Sequence, residues 1–278
     1  MFNYFKEIKS FYKEDENKKS TLVIYLLLRF LVILSMILQI LHRNWSNVFL
    51  CVLTLILFTI PYFVDKKLHI SLPSTLEIII LLFIFSAEIL GEIQNFYGIF
   101  KHWDTILHTI NGFLCAAIGF SLIDILNRSD KLPVSLSPIF VALVAFCFSM
   151  TIGVLWEFFE YGGDLLLRTD MQKDRIITSI STVALNPDGK NVPVKIDNIN
   201  KTIIYSYDSN GNLIETMVNN GYLDIGINDT MKDLLVNFVG AVIFSFIGLL
   251  YIKNRDEYKF AEMFIPVIKR ESEKDQNV

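Results

Sequence analysis

The chain has only three cysteines, four histidines and seven prolines in 278 residues. Cys51, Cys115 and Cys147 stand singly inside apolar runs with no CxxC pair, which excludes a disulfide framework and a thiolate metal site. They read as small buried or lipid-facing hydrophobes. Charge is sparse as well. With a formal net charge of −4 and basic residues in short scattered clusters, nucleic acid is excluded as a partner. There is no GxSxG, Walker loop, dinucleotide fingerprint, HExxH or ExxH pair, and no internal repeat. What the chain holds in excess is apolar side chain. At 53% hydrophobic residues, 23 of them phenylalanine, it carries more than a soluble domain of this size could bury, and its natural solvent is lipid.

Six runs have the length and apolarity of a membrane-spanning helix: Thr21 to Leu41, Val48 to Val64, Thr75 to Ile93, Asp104 to Ile125, Pro138 to Glu160 and Met231 to Ile252. Each approaches the ~20 residues needed to cross ~30 Å of hydrocarbon. The first run is too long for a signal-peptide core, and Trp45-Ser46-Asn47 after it offers no cleavage site, so no processing is expected. Lysine and arginine collect at Lys6, Lys9, Lys13, Lys18 and Lys19, at Lys66 and Lys67, at Arg128 and Lys131, and at Lys253, Arg255 and Lys259. The alternate short loops hold only Arg43 and Lys101. This asymmetry places both termini in the cytoplasm of a cell with a multi-pass plasma-membrane protein.

The expected fold is an all-α polytopic bundle with a small β insertion. Residues 1–20 form a cytoplasmic or interfacial segment, with Met1, Phe5, Ile8 and Tyr12 on one helical face. Spans 1–5 occupy 21–167, an extracytoplasmic insertion 168–228, the last span 229–252 and a cytoplasmic tail 253–278. Within the insertion, Ile176 to Leu185, Val192 to Ile196, Thr202 to Tyr207 and Leu213 to Val218 are strand-like. They alternate with the turn sequences Asn186-Pro187-Asp188-Gly189, Asn198-Ile199-Asn200 and Asp208 to Asn212, a pattern of antiparallel hairpins.

Ionisable residues in membrane spans are costly, so their positions carry the functional signal. Glu88 and Glu92 end the third span. His102, Asp104, His108 and Asn111 open the fourth. Glu157, Glu160 and Asp164 end the fifth, and Asp229, Asp233 and Asn237 open the sixth. Spacings of three and four put each set, His102 aside, on one helical face, and all four sets fall at the same end of the bundle. His108, Glu157, Asp233 and Asn237 are expected to meet in one cavity, with Asp104 and Glu160 nearer its mouth and Glu88 approaching from the third span. Eight carboxylates facing two histidines call for raised pKa values or a bound divalent cation, and oxygen and imidazole donors suit Zn, Mn, Fe or Mg. His102, Asp104, His108 and Asp233 are the expected ligands and Glu157 or Glu160 the general base; Asn111 and Asp229 complete the polar lining. The plain structural alternative is that acids at helix ends are solvated at the interface. Arg29 inside the first span is expected to snorkel to headgroups, His42 and His69 to be solvated, and Gly112, Gly119, Gly153 and Gly240 to permit close helix approach.

At His102-Trp-Asp104-Thr-Ile-Leu-His108, Leu155-Trp156-Glu157-Phe-Phe-Glu160 and Asp229-Thr-Met-Lys-Asp233-Leu-Leu-Val-Asn237-Phe-Val-Gly240, the chain resembles the YjdF-like bacterial membrane proteins. The last motif is distantly similar to VanZ-like proteins, which are associated with glycopeptide resistance at the envelope. The resemblance covers residues 75 to 252 without the β insertion and implies a fold and a site position, since the family has no settled activity.

Three functions fit these residues. One is a cation-dependent enzyme acting on an envelope or lipid-linked substrate. Another is a proton- or ion-coupled transporter, and the third is a structural protein presenting the insertion to an envelope partner. The inner halves of the last four spans are almost wholly apolar apart from Glu77 and Asp124, which favours a one-sided site over a through-path. Oligomeric state is not readable from the sequence.

Overall fold

The computed structural model describes residues 18–68, 70–127 and 136–268, which divide into a first unit, Met1–Gly153 with Asp233–Val278, and a second, Val154–Lys232. In chain order the elements are α1 (Lys19–Leu41), α2 (Trp45–Leu57), α3 (Ile60–Leu68), β1 (Ile70–Ser71), α4 (Ser74–Phe85), a π-helix (Ser86–Ile93), α5 (Phe96–Ile99), α6 (Trp103–Asn127) and α7 (Pro138–Leu167). Next come β2 (Ile176–Ile177), β3 (Ile180–Thr182), β4 (Val194–Ile196), β5 (Lys201–Tyr207), β6 (Leu213–Asn219), β7 (Tyr222–Leu223) and α8 (Ile227–Lys253). A 3-10 helix (Lys259–Phe264) and β8 (Val267–Ile268) follow.

Among the described residues, five helical stretches, 19–41, 45–67, 103–127, 138–166 and 227–253, are long and apolar enough to cross a membrane. The remaining expected run, Thr75 to Ile93, is helical throughout but changes winding, from α4 to the wider π-helix after Phe85. The 45–67 stretch is interrupted at Phe58 and Thr59. Pro61 has no N–H to offer the Leu57 carbonyl, so the chain tightens: the Thr59 N–H and hydroxyl both donate to the Ile56 carbonyl, at 2.9 and 2.7 Å. The helix ends also move relative to the sequence expectation, most of all in α7, which runs seven residues past Glu160.

In the first unit α1 buries Thr21, Tyr25, Leu28 and Val32 while leaving Val23, Leu27 and Phe30 exposed. Steps of four, three and four define one face of a 3.6-residue helix, and the exposed apolar remainder suits a lipid surround. That face packs on Cys51, Phe58, Leu81 and Ile89, and Arg29 donates to the Tyr25 hydroxyl of its own helix at 2.9 Å. A second core joins α6, α7 and α8 through Ala117, Phe120, Val141, Ala145, Ala241 and Phe244.

Two features of this unit differ from expectation. Lys18, counted with the flanking basic residues, is buried: its Nζ lies 3.6 Å from Asp65 Oδ2 and 3.3 Å from Glu77 Oε2, with all three side chains nearly inaccessible. The segment after α8, given no role by its sequence, packs back on the bundle. β8 pairs antiparallel with β1, Ala261 and Ile265 enter the second core, and Arg255 forms a 2.9 Å ion pair with buried Asp124. The amphipathic face Met1, Phe5, Ile8 and Tyr12, along with Lys6, Lys9, Lys13, His69, Arg128, Lys131 and residues 269–278, lies outside the described residues.

The second unit holds the end of α7, the start of α8 and β2–β7 as three antiparallel pairs, β2–β7, β3–β4 and β5–β6. In β5–β6 the register runs from Lys201 opposite Asn219 to Tyr207 opposite Leu213. Asp208 closes the turn, accepting from the N–H groups of Asn210 and Asn212 at 2.8 Å each and from the Asn212 side chain at 3.0 Å, and Gly211 supplies the left-handed residue at φ 81°. The Asn212 amide and these N–H groups hold the exposed Asp208 carboxyl below the usual range. At the root of the unit, Asp224 accepts from the N–H groups of Arg175, Gly226 and Asn228 and from the Asn228 side chain. Burial pushes Asp224 up, but these donors outweigh it and its pKa falls below the ordinary carboxylate value.

Candidate metal centre

Helices α6 and α8 lie side by side and run in the same direction. Contacts between them ascend together on both, Asn111 with Asn237 and Phe113 and Phe120 with Phe244, and just past the end of α8 Arg255 meets Asp124 near the end of α6. Their closest approach is made of glycine against backbone. A Cβ on Gly112 would stand 2.1 Å from the Asn237 carbonyl oxygen, and one on Gly240 2.0 Å from that of Thr109. Only glycine admits this contact. One turn toward the N-terminus of both helices, four residues before Gly112 and four before Asn237, stand His108 and Asp233.

That register decides the site. Ligand atoms of Asp104, His108 and Asp233 all lie within 4.8 Å of one another. His108 Nε2 is 3.3 Å from Asp104 Oδ1 across one turn of α6, and Asp233 is 2% exposed. A layer of neutral polar groups follows one turn further in. The Asn111 amide donates to Asn237 Oδ1 at 3.2 Å, Ser149 of α7 donates to the Gly112 carbonyl at 2.7 Å, and Asn237, fully buried, turns its Nδ2 toward the Ser149 carbonyl at 3.5 Å. Past this layer the seam is aromatic. Phe244 meets Phe113 and Phe120 edge-on at centroid distances of 5.0 and 6.0 Å.

One imidazole and two carboxylates are a donor set for zinc, manganese, iron or magnesium. Donors around a tetrahedral zinc ion at its usual 2.0–2.2 Å stand about 3.4 Å apart. His108 Nε2 and Asp104 Oδ1 at 3.3 Å already have that spacing, and Asp233, within 4.8 Å of both, would reach it by a side-chain adjustment of about 1 Å. Three protein donors leave a coordination position for water or substrate, the pattern of catalytic sites more than of closed structural ones.

The sequence-derived candidates divide. Asp104, His108 and Asp233 come together, with Asn111 and Asn237 directly beneath them. His102 is exposed in the turn before α6, and Glu88 sits partly buried on the π-helix; neither belongs to the group of three. Glu157, Glu160 and Asp229 belong to the second unit. There Glu157 is buried, and Glu160 accepts from the Trp156 indole N–H at 2.8 Å. Asp229, expected in the polar lining, instead takes the Arg175 guanidinium at 2.9 Å and the Lys173 N–H at 3.0 Å. Asp164 likewise accepts from the N–H groups of Met171 and Gln172. Both acids anchor a loop whose course the sequence does not reveal. Ser149 was missed because a lone serine in an apolar run gives no signal; the crossing that uses it was signalled by Gly112 and Gly240.

The family model described as a predicted membrane protein (DUF2238) matches residues 22–188. The chain belongs to this family. The matched range of the DUF2238 member contains Asp104, His108, Asn111 and Ser149, whereas Asp233 and Asn237 come from the chain beyond it. An uncharacterized protein of Thermotoga maritima is 28% identical over 108 residues, which is 38% of this chain and 53% of the relative. The chain thus spans about half the length of the curated relative it matches. No solved structure matches it.

Proposed function

We propose that this DUF2238 protein is a six-span plasma-membrane protein, with both termini cytoplasmic, whose Asp104, His108 and Asp233 hold a divalent cation at an outward-facing site acting on an envelope or lipid-linked substrate. The observation that carries the reading is the convergence of three donors from two helices within 4.8 Å, one of them nearly inaccessible to solvent. The cation would supply a polarised water or substrate oxygen at neutral pH. The chain's own part is to fix the three donors on rigid helices. The YjdF-like resemblance agrees with the site's position; the VanZ-like one adds nothing to the argument.

Transport is the competing reading, and the aromatic seam of Phe113, Phe120 and Phe244 beneath the polar layer weighs against a continuous polar path. The test is metal content of the purified protein. Near-stoichiometric zinc, manganese or iron is expected, falling to background in Asp233→Asn. Metal-free protein that also fails to take up any of these ions, or magnesium, on titration would sink the cation reading. For orientation, single cysteines at Lys67 and Asn210 should be labelled by an impermeant reagent in intact cells only at the second position; labelling at the first alone reverses the topology.

A further inference from the structure

We infer that Asn237 is the positioning residue of this centre: its carboxamide, held by Asn111 at the α6–α8 crossing, sets the rotation of α8 that keeps Asp233 against His108. The inference rests on the cation reading only for its metal measurement; the geometry stands without it.

The glycine contacts fix how near α6 and α8 come and oppose a large roll by sterics, but they contain no directional bond, so the final rotation of each helix is left for polar side chains to set. A roll is what the site cannot tolerate. Asp233 is one turn from Asn237 on the same face, so rotating α8 carries both side chains together. Asn237 resists rotation in two directions. Asn111 Nδ2 donates to its Oδ1 at 3.2 Å from α6, and its Nδ2 faces the Ser149 carbonyl of α7 at 3.5 Å. Both neighbours are themselves fixed. The Cys115 thiol approaches Asn111 Oδ1 at 3.6 Å, and the Ser149 hydroxyl donates to the Gly112 carbonyl at 2.7 Å. Gly153 leaves the room the carboxamide occupies, since a Cβ there would lie 2.7 Å from Asn237 Nδ2. A fully buried asparagine is retained at a cost unless its donors and acceptors are matched, and in rolling away it would forfeit them. Leucine at 237 keeps the number and branching of the heavy atoms and removes the matching.

The test uses the full chain with Cys51, Cys115 and Cys147 replaced by serine and with His108→Cys and Asp233→Cys introduced, treated with a short bis-methanethiosulfonate linker. With Asn237 present, fast and near-complete intramolecular cross-linking is expected. Asn237→Leu should slow it about fivefold or more, and Asn237→Asp, which still accepts from Asn111 but has lost the donor facing the Ser149 carbonyl, should fall between the parent and the leucine variant. In the chain with His108 and Asp233 intact, Asn237→Leu should weaken zinc binding about tenfold or more. An unchanged cross-linking rate in folded Asn237→Leu, with only a lowered melting temperature, would mean the residue is merely structural and overturns the inference. If the leucine variant does not fold, Asn111→Leu removes the same hydrogen bond from the other helix and is read in the same way. If the parent binds no zinc while cross-linking still depends on Asn237, the cation reading fails and the positioning role survives.

Discussion

Asp229 and Asp233 occupy successive turns of one helix, yet they belong to different units and meet different partners. In the second unit the carboxylates of Asp164, Asp224 and Asp229 are taken up by the loops they sit beside, through backbone N–H groups and the Arg175 guanidinium. In the first, Asp233 meets a histidine and another carboxylate, side chain to side chain, on a neighbouring helix. A loop can bend to bring its N–H groups to an acid. A membrane helix spends those groups on itself, so a buried acid on its surface must find other side chains or a cation.

The sharpest way to break this comparison is to neutralise each acid in turn. Asp233→Asn should lower divalent-cation affinity on the order of 100-fold, more than loss of an outer-shell partner would. Asp229→Asn should leave that affinity unchanged and instead quicken proteolysis of the 168–175 segment. Equal losses from both would show that the two acids share one role. Next in size is the crossing itself. Gly112→Ala forces a methyl against the Asn237 carbonyl and should destabilise the protein by about 1–3 kcal/mol while weakening metal binding, measured as melting temperature and zinc affinity in detergent.

The two units differ in how much of this arrangement is legible in the sequence. Steps of four along α6 and α8 placed Asp104, His108, Asp233 and Asn237 on facing stripes, because helical period and the cost of polar groups in lipid act on each helix separately. The same rule treated Asp229 like Asp233, although Arg175, 54 residues earlier, takes it. The burial of Lys18 escaped for a similar reason, since a lysine beside a span reads as a flanking charge until Asp65 and Glu77 are seen around it.

Smaller effects sharpen the loop side of the comparison. Asp224 is depressed, so its contribution to stability is complete above the unfolded carboxylate value of about 3.9 and is lost as pH falls through the lower folded value. Hydrogen-exchange protection of the Gly226 and Asn228 amides should therefore collapse below about pH 4, and Asp224→Asn should remove that pH dependence. Asp174 has the opposite sign: burial, with Asp170, Asp224 and Asp164 nearby, raises its pKa, so its cost at neutral pH is relieved on acidification. Last, Ile225 adopts a left-handed φ of 57°, strained for a β-branched residue. Ile225→Gly should stabilise the second unit by about 1 kcal/mol, seen as slower exchange of the same amides.

Taken alone, the sequence determined that the chain lives in lipid, where its apolar runs lie, that antiparallel hairpins such as β5–β6 lie within the insertion, and which helical faces carry charge. These follow from composition, period and turn chemistry, which are local. Only the tertiary structure decided which acids meet a histidine and which meet a loop, that Thr75 to Ile93 changes winding midway, and that β8 returns to pair with β1. Each of those depends on the axial register of one segment against another, and two glycines, Gly112 and Gly240, bring the two helices close enough for that register to place Asp233 beside His108.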